Sequence, residues 1–164
     1  MTIARPVKID SKNFRDVLGC SPTSVALITG LAGNIPLGML VGTFTSISLD
    51  PPLVGFFPGK QSSTWPKIAA SGRFCVNILS AHQAEISRKF AAASENKFSQ
   101  VMHGRSPAGL PLIEGTSAWV DCTIEATHEI GDHYLVVGAV EGLGRGDAPP
   151  LVFLRGSYHS ANKL

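Results

Sequence analysis

Charge is scarce in this 164-residue chain: Asp, Glu, Lys and Arg make up 16%, against roughly 25% in an ordinary soluble domain. Hydrophobic residues reach 44%, which excludes a disordered chain. The apolar surplus predicts a cover for part of the surface, either a partner subunit or a bound cofactor. The 14 basic and 12 acidic residues leave a net charge of +2, too small to suggest nucleic acid as a partner. Cysteine is sparse. Cys20, Cys75 and Cys122 are widely spaced, odd in number and contain no C-x-x-C pair. Reduced buried thiols are therefore expected rather than a disulfide framework or a zinc site. No run of 18 apolar residues occurs, and no apolar stretch follows Arg5 and Lys8. The expectation is a soluble cytoplasmic protein with no signal peptide and no membrane span.

Familiar catalytic signatures are missing too. There is no phosphate-binding G-x-x-x-x-G-K-[ST], no G-x-S-x-G nucleophile turn and no histidine pair with zincin spacing. The five histidines are scattered, so no metal site is expected. Gly142-Leu143-Gly144-Arg145-Gly146 is followed by Asp147-Ala148-Pro149-Pro150. That segment cannot open the helix a dinucleotide fingerprint requires, so the glycines read as a strand-end loop.

What is present reads as short strands and turns. Gly and Pro total 17 + 11 = 28 residues. Phe14, Val17 and Leu18 fall on one face of a helix over Asp10–Leu18, with Ser11 as a possible N-cap and Gly19 as its stop. Ser24–Leu31 and Leu37–Leu49 read as a hairpin around Ala32-Gly33-Asn34. Asp50-Pro51-Pro52 ends the second strand, and Leu53–Phe57 forms a third. A helix over Thr64–Ala70 follows the polar loop Pro58–Thr64. Phe74–Leu79 is a strand. Ser80-Ala81-His82-Gln83 matches a capping box for a helix running to about Ala93. Residues Glu95–Gly115 are read as irregular or partly helical, with a loop around Ser106–Pro111, and Ser117–Glu129, His133–Leu143 and Leu151–Leu154 as strands. The pattern predicts one domain over 1–164, with an N-terminal arm at 1–10 and a C-terminal tail at 160–164. Its fold class is mainly β with helices, an antiparallel β-barrel. In His133–Val140 both alternating sets are apolar beyond the first residues. Core is expected on one side and a second subunit on the other.

Four constellations could carry chemistry. Gly38–Pro52 combines small residues and hydroxyls, and Gly42 permits close approach of a planar ligand or another backbone; an ordinary bulged strand explains the same residues. Lys60-Gln61-Ser62-Ser63-Thr64 before a helix offers a cation, hydroxyls and a positive helix end to an anion; plain N-capping is the alternative. Arg88-Lys89-Phe90 lies late in a helix, where cations also suit the negative end. Gly131-Asp132-His133 makes a turn that sets His133 at a strand start, facing a cleft or simply structural.

Taken in order, these pieces resemble the short-chain flavin reductases, the FMN-binding split-barrel proteins that serve two-component flavin monooxygenases. The matching stretches are Val25–Thr29, Thr43–Pro52 with its S-x-S-L-D-P-P ending, Ser63-Thr64-Trp65, Phe74–Leu79, Lys97-Phe98, Gly109-Leu110-Pro111, Gly131-Asp132-His133 and Leu151–His159. The resemblance implies an antiparallel split barrel, a homodimer, FMN or FAD as flavin, and NADH or NADPH as reductant. It implies that Leu40, Val41, Gly42, Thr43 and Ser46 lie along the flavin ring. Lys60, Ser62, Ser63 and Thr64 would hold its phosphate, bordered by Arg88, Lys89 and Phe90, and His133 would lie near the nicotinamide. The family often carries Thr-Ala-Ser where this chain has Leu40-Val41-Gly42, which removes two hydroxyls. The activity implied is hydride transfer from NAD(P)H to flavin N5, with reduced flavin supplied to an oxygenase. An oxidase or oxygenase on the same scaffold, or a non-catalytic flavin carrier, are the other readings.

Overall fold

The computed structural model describes residues 4–93 and 96–161. The outermost residues of the expected arm and tail, and Glu95, lie outside the described residues. The chain is mainly β, with strands β1 (Thr23–Ser24), β2 (Ala26–Ala32), β3 (Ile35–Val41), β4 (Thr45–Leu49), β5 (Pro52–Phe56), β6 (Arg73–Ile78), β7 (His103–Arg105), β8 (Pro111–Ile113), β9 (Ala118–Ile130), β10 (His133–Arg145), β11 (Leu151–Leu154) and β12 (Ser157–Ser160). Helices α1 (Ser11–Leu18), α2 (Trp65–Ala69) and α3 (Ala84–Ala91) interrupt them. No helix among the described residues is long and apolar enough to cross a membrane.

Seven strands form one sheet in the order β3-β2-β6-β9-β10-β5-β4, every neighbour antiparallel. The expected single strand Leu37–Leu49 is in fact two strands on opposite margins of this sheet, joined by Gly42-Thr43-Phe44. At the break, the Thr43 hydroxyl accepts the Phe57 backbone N–H at 3.0 Å, a side-chain bond in place of a ladder. Laid flat, the margins would stand roughly 29 Å apart, six strand spacings. Four peptide steps from Val41 to Thr45 span at most about 14 Å. The sheet must therefore coil until the ends of its two margins lie within that reach. No ladder pairs β3 with β4, so a seam stays open between them.

The inner face of the coil is the main core. Ile28, Val41, Val54, Phe56, Phe74, Val76 and Val136 pack there around Trp65 and Ile68 of α2. Phe56 meets Trp65 and Phe74 edge-on at centroid distances of 5.3 and 5.2 Å. Leu27 of β2 and Val25 just before it point the other way and join Leu79, Phe90, Val101, Ile113 and Leu151 in a second core beneath α3. This strand is apolar on both faces because both are covered. The three cysteines are free, with Cys75 and Cys122 buried and Cys20 exposed. Burial, reinforced by Asp121, pushes both inner thiols up, which removes them as nucleophiles.

Several local expectations need correction. Asp10, not Ser11, caps α1: its carboxylate accepts from Lys12 and Asn13 N–H at 3.1 and 2.9 Å, and Ser11 is already the first helical residue. The segment read as irregular contains the β7–β8 hairpin, and β12 pairs with β11. These strands are only three or four residues long, too short for periodicity to declare. The Ser80 capping box is present, but it opens a 3-10 turn, Ala81–Gln83, before α3.

Asn77 explains how the β7–β8 hairpin is held. Its side chain donates to Leu27 O at 3.2 Å and to Thr29 Oγ1 at 3.0 Å, and accepts Ile113 N–H at 2.8 Å. The Thr29 hydroxyl in turn donates to Pro111 O at 2.6 Å. Asn77→Ala strands a buried N–H, and each such orphan costs about 1–3 kcal/mol. We expect a loss of about 3 kcal/mol in urea unfolding. A loss below about 1 kcal/mol would contradict this assignment.

Candidate functional site

The open seam gathers three segments of chain. Thr43 holds Phe57, as described above. The next residues are stitched to the β9–β10 turn: Tyr134 N–H donates to Pro58 O and Lys60 N–H to Asp132 O, both at 2.9 Å. Gly59 and His133 form an antiparallel bridge. Gly131 makes the turn with φ +57, a left-handed conformation that disfavours other residues. The Gly42–Thr45 crossing, the Phe57–Thr64 loop and the Glu129–Tyr134 tip therefore share one rim.

Charges alternate along that rim. Lys60 Nζ lies 2.8 Å from Glu129 Oε2 and over the Tyr134 ring, 5.7 Å from its centroid. The Glu129 hydrogen bond holds the Lys60 ammonium above its ordinary value. The same bond holds Glu129 below the usual carboxylate range. His133 Nδ1 lies 2.7 Å from Asp132 Oδ1, and this bond keeps Asp132 low. Lys60 is half-buried and Glu129, Asp132 and His133 are solvent-exposed, so screening limits what the pairs add to global stability.

Beside the rim lies a cleft of about 730 Å³ between the free margin of β3 at Ile35–Gly38, the start of α2 and the Asn96–Ser99 segment. Ser63, Thr64, Lys67, Lys97 and Ser99 line it, supplying hydroxyl and ammonium donors. Helix α2 has only five residues, so the expected helix-dipole contribution to an anion site is not available and these side chains form the donor set. Ser62 does cap: its oxygen accepts Trp65 N–H at 3.1 Å, while its own hydrogen can still donate.

A second cleft of about 350 Å³ follows along the same strand. Leu40, Val41 and Gly42 face Thr23, Phe153 and Tyr158 across it. Val41 is buried in the core, so only its backbone can serve a ligand. Ser46 is exposed on β4, where it pairs with Val54. Arg88 pairs with Glu85 and lies over the Tyr158 ring at 5.4 Å. Lys89 donates to Ser99 O, tying α3 to the larger cleft. Phe90 is buried behind it, where a Cβ on Gly38 would come within 2.6 Å of its ring. It forms the wall and not the surface. Lys60 faces the rim carboxylates, while Lys67 and Lys97 line the larger cleft. Lys67 was missed, although its i, i+3 spacing from Thr64 sets both on one helical face. Lys97 was noted as a motif position without a role.

An antiparallel sheet coiled around a short helix, with hydroxyl and ammonium groups lining a cleft beside a mainly apolar slot, defines a small, mainly β protein. Residues 18–162 match the model of the flavin reductase like domain. A flavin reductase of Pseudomonas putida is 45% identical over 152 residues, covering 92% of this chain and 89% of the relative. The reductase subunit HsaB of a flavin-dependent monooxygenase from Mycobacterium tuberculosis is 43% identical over 154 residues, covering 92% and 82%. Among solved structures, an NADH:FAD oxidoreductase of Streptomyces globisporus superposes with a TM-score of 0.90 at 31% identity, covering 99% of this chain and 100% of that one. The chain belongs to the flavin reductase family and is an oxidoreductase of that class.

Proposed function

We propose that this chain is an NAD(P)H:flavin oxidoreductase that reduces FMN or FAD and releases reduced flavin to a partner monooxygenase. The observation carrying this reading is the convergence, around the open seam, of a donor-lined cleft, a mainly apolar slot and a histidine-bearing rim. At about 730 Å³, the larger cleft falls in the 300–1,000 Å³ range typical of small-ligand sites. Its hydroxyl and ammonium groups suit a phosphate.

When bound, the flavin supplies the electron sink, its N5 accepting the hydride from nicotinamide C4. Ser62, Ser63, Thr64, Lys67 and Lys97 hold the phosphate, with Arg88 and Lys89 bordering it. The Leu40–Thr43 segment would hold the ring, and Ser46 lies beyond it on β4. Lys60 and Glu129 brace the rim, and His133 orients the nicotinamide. Holding two rings in reacting geometry is the main catalytic act, and it needs no general base.

The coiled sheet with its open seam is read as a split barrel, and the molecule as a homodimer. Ile47, Leu49 and Ile130 are exposed near the half-buried Leu53, Leu135 and Val137 on the β4-β5-β10 side. Helix α1 buries none of its residues. Both features suit association with a second copy.

Anaerobic mixing of NADH or NADPH with FMN or FAD should bleach the visible flavin band in at least one pairing. Absence of turnover in all four rejects the reading. His133→Ala should raise the KM for the nicotinamide by about 10-fold, the equivalent of one lost hydrogen bond, with little change in flavin Kd. An unchanged KM removes His133 from the site.

A further inference from the structure

His133 has two ring nitrogens in different surroundings. Nδ1 sits 2.7 Å from Asp132 Oδ1. An ionised carboxylate can only accept, so Nδ1 must donate. Nε2 faces Gly59: a Cβ there would lie 3.8 Å from Nε2, and no other heavy atom outside residues 58–60 would come within 4 Å of that Cβ. The missing side chain leaves that edge of the imidazole open, and the His133 side chain is 47% exposed. The backbone beneath is pinned by the Gly59–His133 bridge and by its flanking hydrogen bonds. The Asp132 side chain is 96% exposed, so it contributes no packing. Its one evident task is its contact with the imidazole.

We infer that Asp132 is a positioning residue: it fixes His133 as the Nδ1–H tautomer, so that the Nε2 lone pair is presented at the rim to accept the amide N–H of a nicotinamide carboxamide. This rests on the placement of His133 beside the nicotinamide proposed above. Without the carboxylate, an imidazole in water favours the Nε2–H form, which offers the carboxamide nitrogen a donor where it needs an acceptor. A histidine's free nitrogen is commonly set by the bond its other nitrogen makes. Lys60, Glu129 and Tyr134 are the other titratable groups at this rim, and Lys60 already pairs with Glu129.

The test uses the intact protein and the variants Asp132→Ala and Asp132→Asn. Imidazole ¹⁵N–¹H spectra, recorded well above the ordinary histidine range and assigned by signal loss in His133→Gln, read the tautomer directly. Wild type should show Nδ1–H, and Asp132→Ala should convert to Nε2–H. The KM for NADH should rise about 10-fold in Asp132→Ala, one hydrogen bond's worth, while kcat changes less than about 2-fold. Asp132→Asn, whose amide oxygen still accepts Nδ1–H, should restore most of the wild-type KM. An unchanged tautomer in Asp132→Ala overturns the inference. So does a converted tautomer with unchanged KM, which also takes His133 away from the nicotinamide. Wild-type turnover in the same assay separately decides whether the reductase reading stands.

Discussion

Lys67→Ala combined with Lys97→Ala is expected to weaken FMN binding by about 100-fold while leaving riboflavin binding nearly unchanged. Both ammonium groups line the larger cleft beside Ser63 and Thr64. A hydrogen bond to a charged group contributes about 1.5–3 kcal/mol. Two at the lower end of that range give about 3 kcal/mol, and each 1.4 kcal/mol is tenfold. Riboflavin has the same ring system without phosphate, so it separates charge recognition from general damage. That control matters because Lys97 also donates to Phe90 O at 2.8 Å and so helps close the α3 end. Lys67→Ala alone should cost about 10-fold, the single-contact share. Quenching of flavin fluorescence gives both affinities in one buffer. Equal weakening of FMN and riboflavin would refute the phosphate assignment. Raising salt should reduce the wild-type preference for FMN, since exposed charge contacts are screened.

The second large effect concerns the packing inside the coiled sheet. A Cβ on Gly138 would stand 2.4 Å from Phe74 Cζ and 3.1 Å from Cys122 Cβ. Phe74 cannot retreat easily, because it is fully buried and meets Phe56 edge-on at 5.2 Å. Gly138→Val should therefore cost about 3 kcal/mol, the upper end of ordinary overpacking. In a Phe74→Leu background, the smaller side chain leaves space for the added methyls. The cost of Gly138→Val should then fall by at least about 1.5 kcal/mol, a coupling typical of residues in contact. Urea midpoints of the four proteins in this cycle decide it. Additivity within about 0.5 kcal/mol would mean that another contact limits the site.

The sequence made the long elements legible because they repeat their signals. Strands β2, β6 and β10 are largely apolar, β9 alternates apolar and polar residues through its middle, all four are bounded by turn residues, and a capping box opens the turn that leads into α3. The two-faced apolar pattern of β10 was visible, but not that Gly138 makes room for an aromatic ring from β6. That depends on which strands neighbour each other, and periodicity does not encode neighbours. The same limit hid the break at Gly42–Phe44. Residues 37–49 alternate well enough for one strand, and only the closure of a coiled sheet requires two. At the site, the hydroxyl run and Gly131-Asp132-His133 were readable as motifs. Pairing of Lys60 with Glu129 across 69 positions was not, and this pairing leaves the cleft to Lys67 and Lys97.

The crossing from Val41 to Thr45 also has a consequence for engineering. A strap that short acts as a clasp across the seam, and each added residue would lengthen it by about 3.3–3.6 Å. Aperture size could thus be set in discrete notches, by insertion rather than by trimming side chains. A bulkier or slimmer guest would then select the notch that fits it.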